Sequence, residues 1–236
     1  MNLLLLQSET IQNNVATIVG RQLEHIIQVQ RLTKGDTLRV GEINGDIGLG
    51  TITCLNNTSA TLEIALTAKA PSPIPLTIVL ALPRPKMLKR ILQTITAMGI
   101  KQLHLVNSNR VEKSFWQSPL LTSEAIKEQL ILGLEQSRDT LLPSVHLHKL
   151  FKPFVEDELP SIVGKSTALV AHPMSEQRCP IDCQAASTLA IGPEGGFIPF
   201  EIEKLVQAGF DPVHLGSRIL RVENAVPALI SRLYPA

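Results

Sequence analysis

The sequence predicts an α/β protein, a parallel sheet with helices on both faces, preceded by a small β-barrel. Three observations carry this. From Leu76 onward, apolar strand-like runs alternate with amphipathic helical stretches, the pattern of a parallel sheet. Before Ala70 the chain reads as a series of strands broken by turns. Between these regions lies Ala70-Pro71-Ser72-Pro73-Ile74-Pro75, proline-dense and without either period, which places the domain boundary there and divides the chain into residues 1–70 and 75–236.

Barrel strands are expected at Leu3–Leu6, Thr37–Ile43, Ile47–Leu55 and Ala60–Ala68, with turns at Lys34-Gly35-Asp36 and Asn44-Gly45-Asp46. One helix, Arg21–Gln30, places Leu23, Ile26, Ile27 and Gln30 at helical spacing and is expected to plug the barrel mouth. In the second region the expected order is strand Leu76–Leu82, helix Lys86–Met98, strand Gln102–Val106, helix Ser123–Ser137 and strand Val145–His148. A short helical stretch near Phe154 and the strands Ala168–His172 and Thr188–Ile191 follow. A helix from Pro199, a strand Pro212–His214 and a helix Val222–Leu233 complete it.

Composition sets bounds on function. With 236 residues, 44% of them hydrophobic, the chain can bury a sizeable core. The apolar run Leu3–Leu6 is too short for a secretory leader and is followed at once by Gln7-Ser8-Glu9. No run approaches the roughly 20 apolar residues of a membrane span, so no membrane partner is expected. Sparse cysteines, Cys54, Cys179 and Cys183, fit a reducing cytoplasm. A net charge of +1, with one Trp, one Tyr and six Phe, gives no global sign of nucleic-acid binding and excludes an extended stacking platform. Basic residues do cluster locally, at Arg84, Lys86, Lys89 and Arg90 and at Arg21, Arg31, Lys34 and Arg39; each cluster can hold phosphates or be a solvated face.

Two glycine-marked loops concentrate the chemistry. Gly192-Pro193-Glu194-Gly195-Gly196 joins a buried strand to a helix start, so its backbone N–H groups can cradle an anion or polar group. No Lys-Ser/Thr follows and there is no GxGxxG, which argues against a nucleoside triphosphate site. Leu215-Gly216-Ser217-Arg218-Ile219-Leu220-Arg221 again follows a strand and enters a helix, and two cradles at neighbouring strand ends suggest one pocket. Cys179 and Cys183 with Asp182 and His172 form no recognised ligand pattern, so no metal is expected. His146 and His148 read as surface histidines on one strand face, and Glu156-Asp157-Glu158 as a solvated helix face.

The pair IGPEGG and LGSRILRVENA, with Leu80-Ala81-Leu82-Pro83, Gly133-Leu134-Glu135-Gln136-Ser137 and the stretch from His25 to Asp36, resembles the bacterial 16S rRNA uridine-N3 methyltransferase family of the SPOUT superfamily over nearly the whole chain. The resemblance implies a knotted C-terminal domain that binds S-adenosyl-L-methionine in bent form, behind a PUA-like RNA-binding barrel. It also implies a cytoplasmic homodimer acting on 16S rRNA or the assembled small ribosomal subunit. Threading is nearly absent from proteins, so the trefoil knot rests on the resemblance alone, which would tuck the chain from Leu215 beneath Gly192–Phe197.

Carried onto this chain, the cofactor positions are His172, Ile191, Gly192, Gly195, Gly196, Leu215, Gly216, Ile219, Leu220, Asn224 and Ala225. RNA-binding positions are Arg21, Arg31, Lys34, Arg84 and Lys86. Methylating uracil N3 requires removal of a proton, for which Glu223 and Glu194 are both candidates, while Arg221 suits the charge developing on the uracil oxygens. The chain departs from the family pattern in having Val222-Glu223-Asn224 for Thr-Glu-Thr, and Arg138-Asp139 after Ser137 for Gly-Arg. A noncatalytic RNA-binding protein of the same fold, or a methyltransferase for another RNA nucleotide, is the alternative.

Overall fold

The computed structural model describes residues 1–235. They form two compact units, Met1–Ser72 together with Leu130–Leu142, and Pro73–Gln129 together with the chain from Pro143 on. The first unit thus takes in a segment that a single cut at the proline-dense stretch assigns to the second.

In the first unit six strands, β1 (Leu4–Leu6), β2 (Ile11–Gln12), β3 (Val15–Ile18), β4 (Thr37–Glu42), β5 (Ile47–Leu55) and β6 (Ala60–Ala68), form a sheet of order β1-β4-β5-β6-β3-β2. β1 runs parallel to β4 and the other neighbours are antiparallel. Alternate residues, among them Leu38, Val40, Leu62 and Ile64, enclose one apolar core that also takes Leu23 and Ile26. Those last two sit on α1 (Gly20–Glu24), which starts one residue before expectation and widens into π-helical turns over His25–Gln30. The β2–β3 hairpin was not anticipated from the sequence. Its two-residue loop, Asn13-Asn14, has φ of 50° and 62°, the left-handed pair that a tight hairpin requires and that Asn tolerates.

β1 explains the added segment. Its even residues Leu4 and Leu6 face the core, while Leu3 and Leu5 form a second apolar cluster with Leu134, Ile131 and Leu142. An unbroken leucine run is what a strand covered on both faces needs. Polar contacts fix the register: the Asn2 and Leu3 N–H groups donate to the Glu135 carbonyl at 2.8 and 3.0 Å. The Glu135 carboxylate, 1% exposed, accepts from Arg21 Nη2 at 2.7 Å and Gln22 Nε2 at 3.1 Å.

The second unit is an α/β layer structure. Strands β7 (Leu76–Ala81), β8 (Gln102–Val106), β9 (Ser144–His148), β10 (Thr167–Ala171), β11 (Ser187–Ile191) and β12 (Asp211–Val213) are all parallel, in the order β12-β10-β11-β7-β8-β9. Helices α2 (Pro85–Ala97), α3 (Ser123–Ser137, which belongs to this unit only as far as Gln129), α4 (Phe151–Pro153), α5 (Leu159–Val163), α6 (Pro199–Gln207) and α7 (Val222–Leu233) accompany them. α2 buries Leu88, Ile91, Leu92 and Ile95, and α7 buries Val222, Val226, Leu229, Ile230 and Leu233, each a single helical stripe. The C-terminal end of α7 is pinned by the segment before β11: Asp182 and Cys183 N–H donate to the Arg232 and Leu233 carbonyls, Arg232 Nε donates to the Cys179 carbonyl, and Tyr234 OH donates to the Ala185 carbonyl. Among the described residues no helix is long and apolar enough to cross a membrane, and no His/Cys/Asp/Glu group is arranged to hold a metal.

Two sequence readings need correction. His148 is not a surface histidine, since its Nε2 lies 3.0 Å from His104 Nδ1, its ring lies tilted against Phe154 with centroids 4.1 Å apart, and its Nδ1 lies 3.3 Å from Glu158 Oε2. Glu158 is therefore engaged rather than merely solvated. The missed element was His104 on β8, directly opposite His146 in register and 7% exposed. Burial, followed by the charges of His146 and His148, pushes its pKa down to about 4.

Glu201 anchors the α6 end of the unit. As the third residue of the helix it accepts the Ile198 N–H at 2.9 Å, half of a capping box. Its other oxygen accepts the Asn109 N–H from the loop after β8 at 2.6 Å, and the side chain is 3% exposed.

Two outcomes follow from these buried groups. A His104 pKa depressed in the folded state means that the unfolded chain binds its proton first, so stability is held above pH 6.5 and falls as the pH drops toward 4, by on the order of 3 kcal/mol. Melting temperatures measured across that window will show the decline, and His104→Gln will flatten it. Glu201→Ala removes the acceptor of two part-buried N–H groups and is expected to cost about 1–3 kcal/mol, read in denaturant unfolding, with Glu201→Gln losing less because its amide oxygen still accepts one bond.

Candidate functional site

Because the strands of the second sheet all point one way, the loops leaving β8, β10, β11 and β12 emerge at a single sheet edge. They enclose a cleft of about 340 Å³, within the range of small-molecule and cofactor sites. One wall is the loop Gly192–Phe197 after β11. Ile191, Gly192 and Pro193 are buried there, and a side chain on Gly192 would meet the Phe197 backbone nitrogen at 3.0 Å, so the loop closes only over glycine. Gly196 sits at φ +72°, and open space surrounds the place where a Cβ would be. The facing wall is Leu215, Gly216, Arg218, Ile219 and Leu220 after β12, with Val222, Ala225 and Leu229 of α7 beneath. His172, Pro173 and Met174 after β10 contribute the third side, and the His172 N–H donates to the Val213 carbonyl at 2.9 Å.

Of the positions singled out in the sequence, His172, Ile191, Gly192, Glu194, Gly195, Gly196, Leu215, Gly216, Ile219, Leu220 and Ala225 line this one cleft. Arg221, Glu223 and Asn224 do not. Arg221 is exposed as the N-cap of α7 and its carbonyl accepts the Asn224 and Ala225 N–H groups, so the three lie at the helix's first turn, beside the lining residues Leu220, Val222 and Ala225. Glu194 has a structural partner as well, for its Oε1 accepts the Arg84 N–H at 3.2 Å at the start of α2.

Arg31 and Lys34 are exposed in the first unit; Arg84 and Lys86 are exposed in the second. Arg21, by contrast, is engaged by Glu135, with its side chain 52% exposed.

Sequence reasoning missed Arg110, Met174, Phe197 and Arg218 in the lining. Arg110 arrives from the loop after β8, and its Nη1 donates to the Gly195 carbonyl. No motif flags it, because the contact joins residues far apart in the chain. Met174 and Ile219 stand 82% and 79% exposed at the rim, apolar side chains left in solvent beside a cleft, as at surfaces that receive a ligand.

A family model described as an RNA methyltransferase domain matches residues 70–234. The Ribosomal RNA small subunit methyltransferase E of Treponema pallidum (strain Nichols) is 30% identical, over 97% of this chain and 88% of that protein. Its namesake from Synechocystis sp. (strain ATCC 27184 / PCC 6803 / Kazusa) is 27% identical, over 98% and 76%. Among solved structures, the Neisseria gonorrhoeae Ribosomal RNA small subunit methyltransferase E bound to S-adenosyl methionine superposes with a TM-score of 0.76 at 22% identity, covering 98% of this chain and 95% of that one. With a domain model over most of the chain and a relative matched nearly end to end, the chain belongs to the RNA methyltransferase family, among the Ribosomal RNA small subunit methyltransferases E.

Proposed function

We propose that this chain transfers the methyl group of S-adenosyl-L-methionine to N3 of a uridine in 16S rRNA, free or in the assembled small ribosomal subunit, as a cytoplasmic homodimer. The observation that carries the reading is one cleft walled by both glycine-marked loops in a chain of this family. The residues fit the cofactor. Gly196 leaves room for close approach to the backbone, and Ile191, Leu215, Leu220 and Leu229 offer an apolar bed for an adenosine and a thioether chain.

When bound, the cofactor supplies an electrophilic methyl group; the chain's own residues must place the uracil and deal with its proton. Arg221 lies between the lining residues Leu220 and Val222 and is exposed, so its guanidinium can meet a base presented at the cleft mouth and stabilise charge on the uracil oxygens. Glu194, held on the cleft wall by the Arg84 N–H, and Glu223, on the turn that carries Arg221, are the candidate proton acceptors. In this reading the first unit is a PUA-like RNA-binding domain that uses Arg31 and Lys34 on phosphates. Arg21 contributes the part of its side chain left exposed beside Glu135, and on the second unit Arg84, just before α2, and Lys86 on it offer phosphate contacts of their own.

A trefoil knot is part of the proposal. In it the chain from Leu215 on passes beneath Gly192–Phe197, and the end of α7 is then held in place by Asp182 and Cys183 N–H donating to the Arg232 and Leu233 carbonyls and by Arg232 and Tyr234 donating to the Cys179 and Ala185 carbonyls.

Incubation with S-adenosyl-L-methionine and small subunits lacking the modification, followed by nucleoside mass spectrometry, is expected to yield 3-methyluridine; another methylated nucleoside would move the target, and none would refute the transfer. Arg221→Met is expected to slow single-turnover methyl transfer by ~10²-fold or more at saturating cofactor and RNA, with cofactor affinity little changed. A near-native rate in that variant would return Arg221 to a purely structural place at the helix start.

A further inference from the structure

Two arginines line the cleft with no part in the chemistry above. Arg110 comes from the loop after β8 and Arg218 from the loop after β12. The backbone around Arg110 is fixed on both sides: Asn109 N–H donates to Glu201, Val111 is buried, and Trp116 Nε1 donates to Asn107 Oδ1 at 2.9 Å. The arginine's stem fills the space that a side chain on Gly195 would take, with Cδ 3.0 Å from that Cβ position, and Nη1 donates to the Gly195 carbonyl.

A carbonyl occupies one donor of a guanidinium and neutralises none of its charge. No carboxylate pairs with Arg110 or Arg218 among the described residues. The one acidic side chain in the lining, Glu194, is turned to the Arg84 N–H. The cleft therefore gathers two guanidinium charges against one carboxylate, neither arginine paired to it, in a chain whose net charge is only +1. Planar, forked donors match the oxygens of a phosphate or carboxylate, and Arg110 is the one whose stem is already held in place.

We propose that Arg110 and Arg218 form an anion site in the cleft, for either an RNA phosphate beside the nucleotide to be methylated or the carboxylate of the cofactor's amino-acid part. The proposal rests on the methyl transfer inferred above. Its test uses the full chain with Arg110→Gln, Arg110→Lys and Arg218→Gln. Methyl transfer to unmodified small subunits is followed at several salt concentrations. Calorimetric titrations use S-adenosyl-L-homocysteine and 5′-methylthioadenosine, which lacks the carboxylate.

If the anion is a phosphate, each glutamine variant raises KM for the subunits about tenfold and takes about one unit from the salt slope, with kcat and thioether affinities nearly native. Arg110→Lys then recovers the slope. If it is the carboxylate, S-adenosyl-L-homocysteine binding falls about tenfold while 5′-methylthioadenosine binding stays native. Native values throughout overturn the site. So does a loss for both thioethers together with a lowered melting temperature, which would mark a collapsed loop. Arg218→Gln guards against that ambiguity, since no hydrogen bond is seen for Arg218 among the described residues. Wild-type chain that binds neither thioether and transfers no methyl group would remove the reaction itself, and this site with it.

Discussion

The cleft depends on the polarity of the second sheet. Six parallel strands need crossover connections, and those connections deliver the loops after Val106, Ala171, Ile191 and Val213 to one edge. Parallel strands also require cover on both faces, which is why β7 and β11 are almost continuously buried and why their sequences read as plain apolar runs. The sheet alone leaves its edge loops free. Glu201 joins two of them by accepting one N–H from the start of α6 and another from Asn109, so that helix capping and loop docking become a single carboxylate's work.

Legibility in the sequence followed the range of the interaction responsible. Helices Ser123–Ser137 and Val222–Leu233 and strands Gln102–Val106 and Ile47–Leu55 were readable to the residue because local periodicity determines them. The glycine loops were readable because backbone conformation there excludes other residues. Asn13-Asn14 was a local signal that went unread, as asparagine pairs are weaker markers than Asn-Gly. What stayed hidden was set by partners distant in sequence. Arg110 meets Gly195, and His104 meets His148 across a strand pair; neither contact has a short-range pattern. The motif around Glu135, noticed only through resemblance, acquires a physical reason, for a buried carboxylate there binds Arg21 and Gln22 while its carbonyl takes two N–H groups from the N-terminal strand.

Glu194 illustrates the limit of assigning chemistry by residue type. As a carboxylate in a glycine loop it looked like a base, and it does line the cleft, yet it also caps the approach to α2 through the Arg84 N–H. A group with both tasks couples the cleft wall to the neighbouring helix.

The double-sided burial of β1 bears on how this protein can be taken apart. The first unit is discontinuous, and Leu3 and Leu5 share their apolar cluster with Ile131, Leu134 and Leu142 as well as with the nearer Ile43 and Ile47. A fragment cut at Ser72 would keep Ile43 and Ile47 but lose Ile131, Leu134 and Leu142, leaving a half-covered leucine strip along an edge strand, the kind of surface through which chains self-associate. During synthesis the same strip waits until residue 142 has been made before it can be fully covered, so this unit matures late even though it begins the chain.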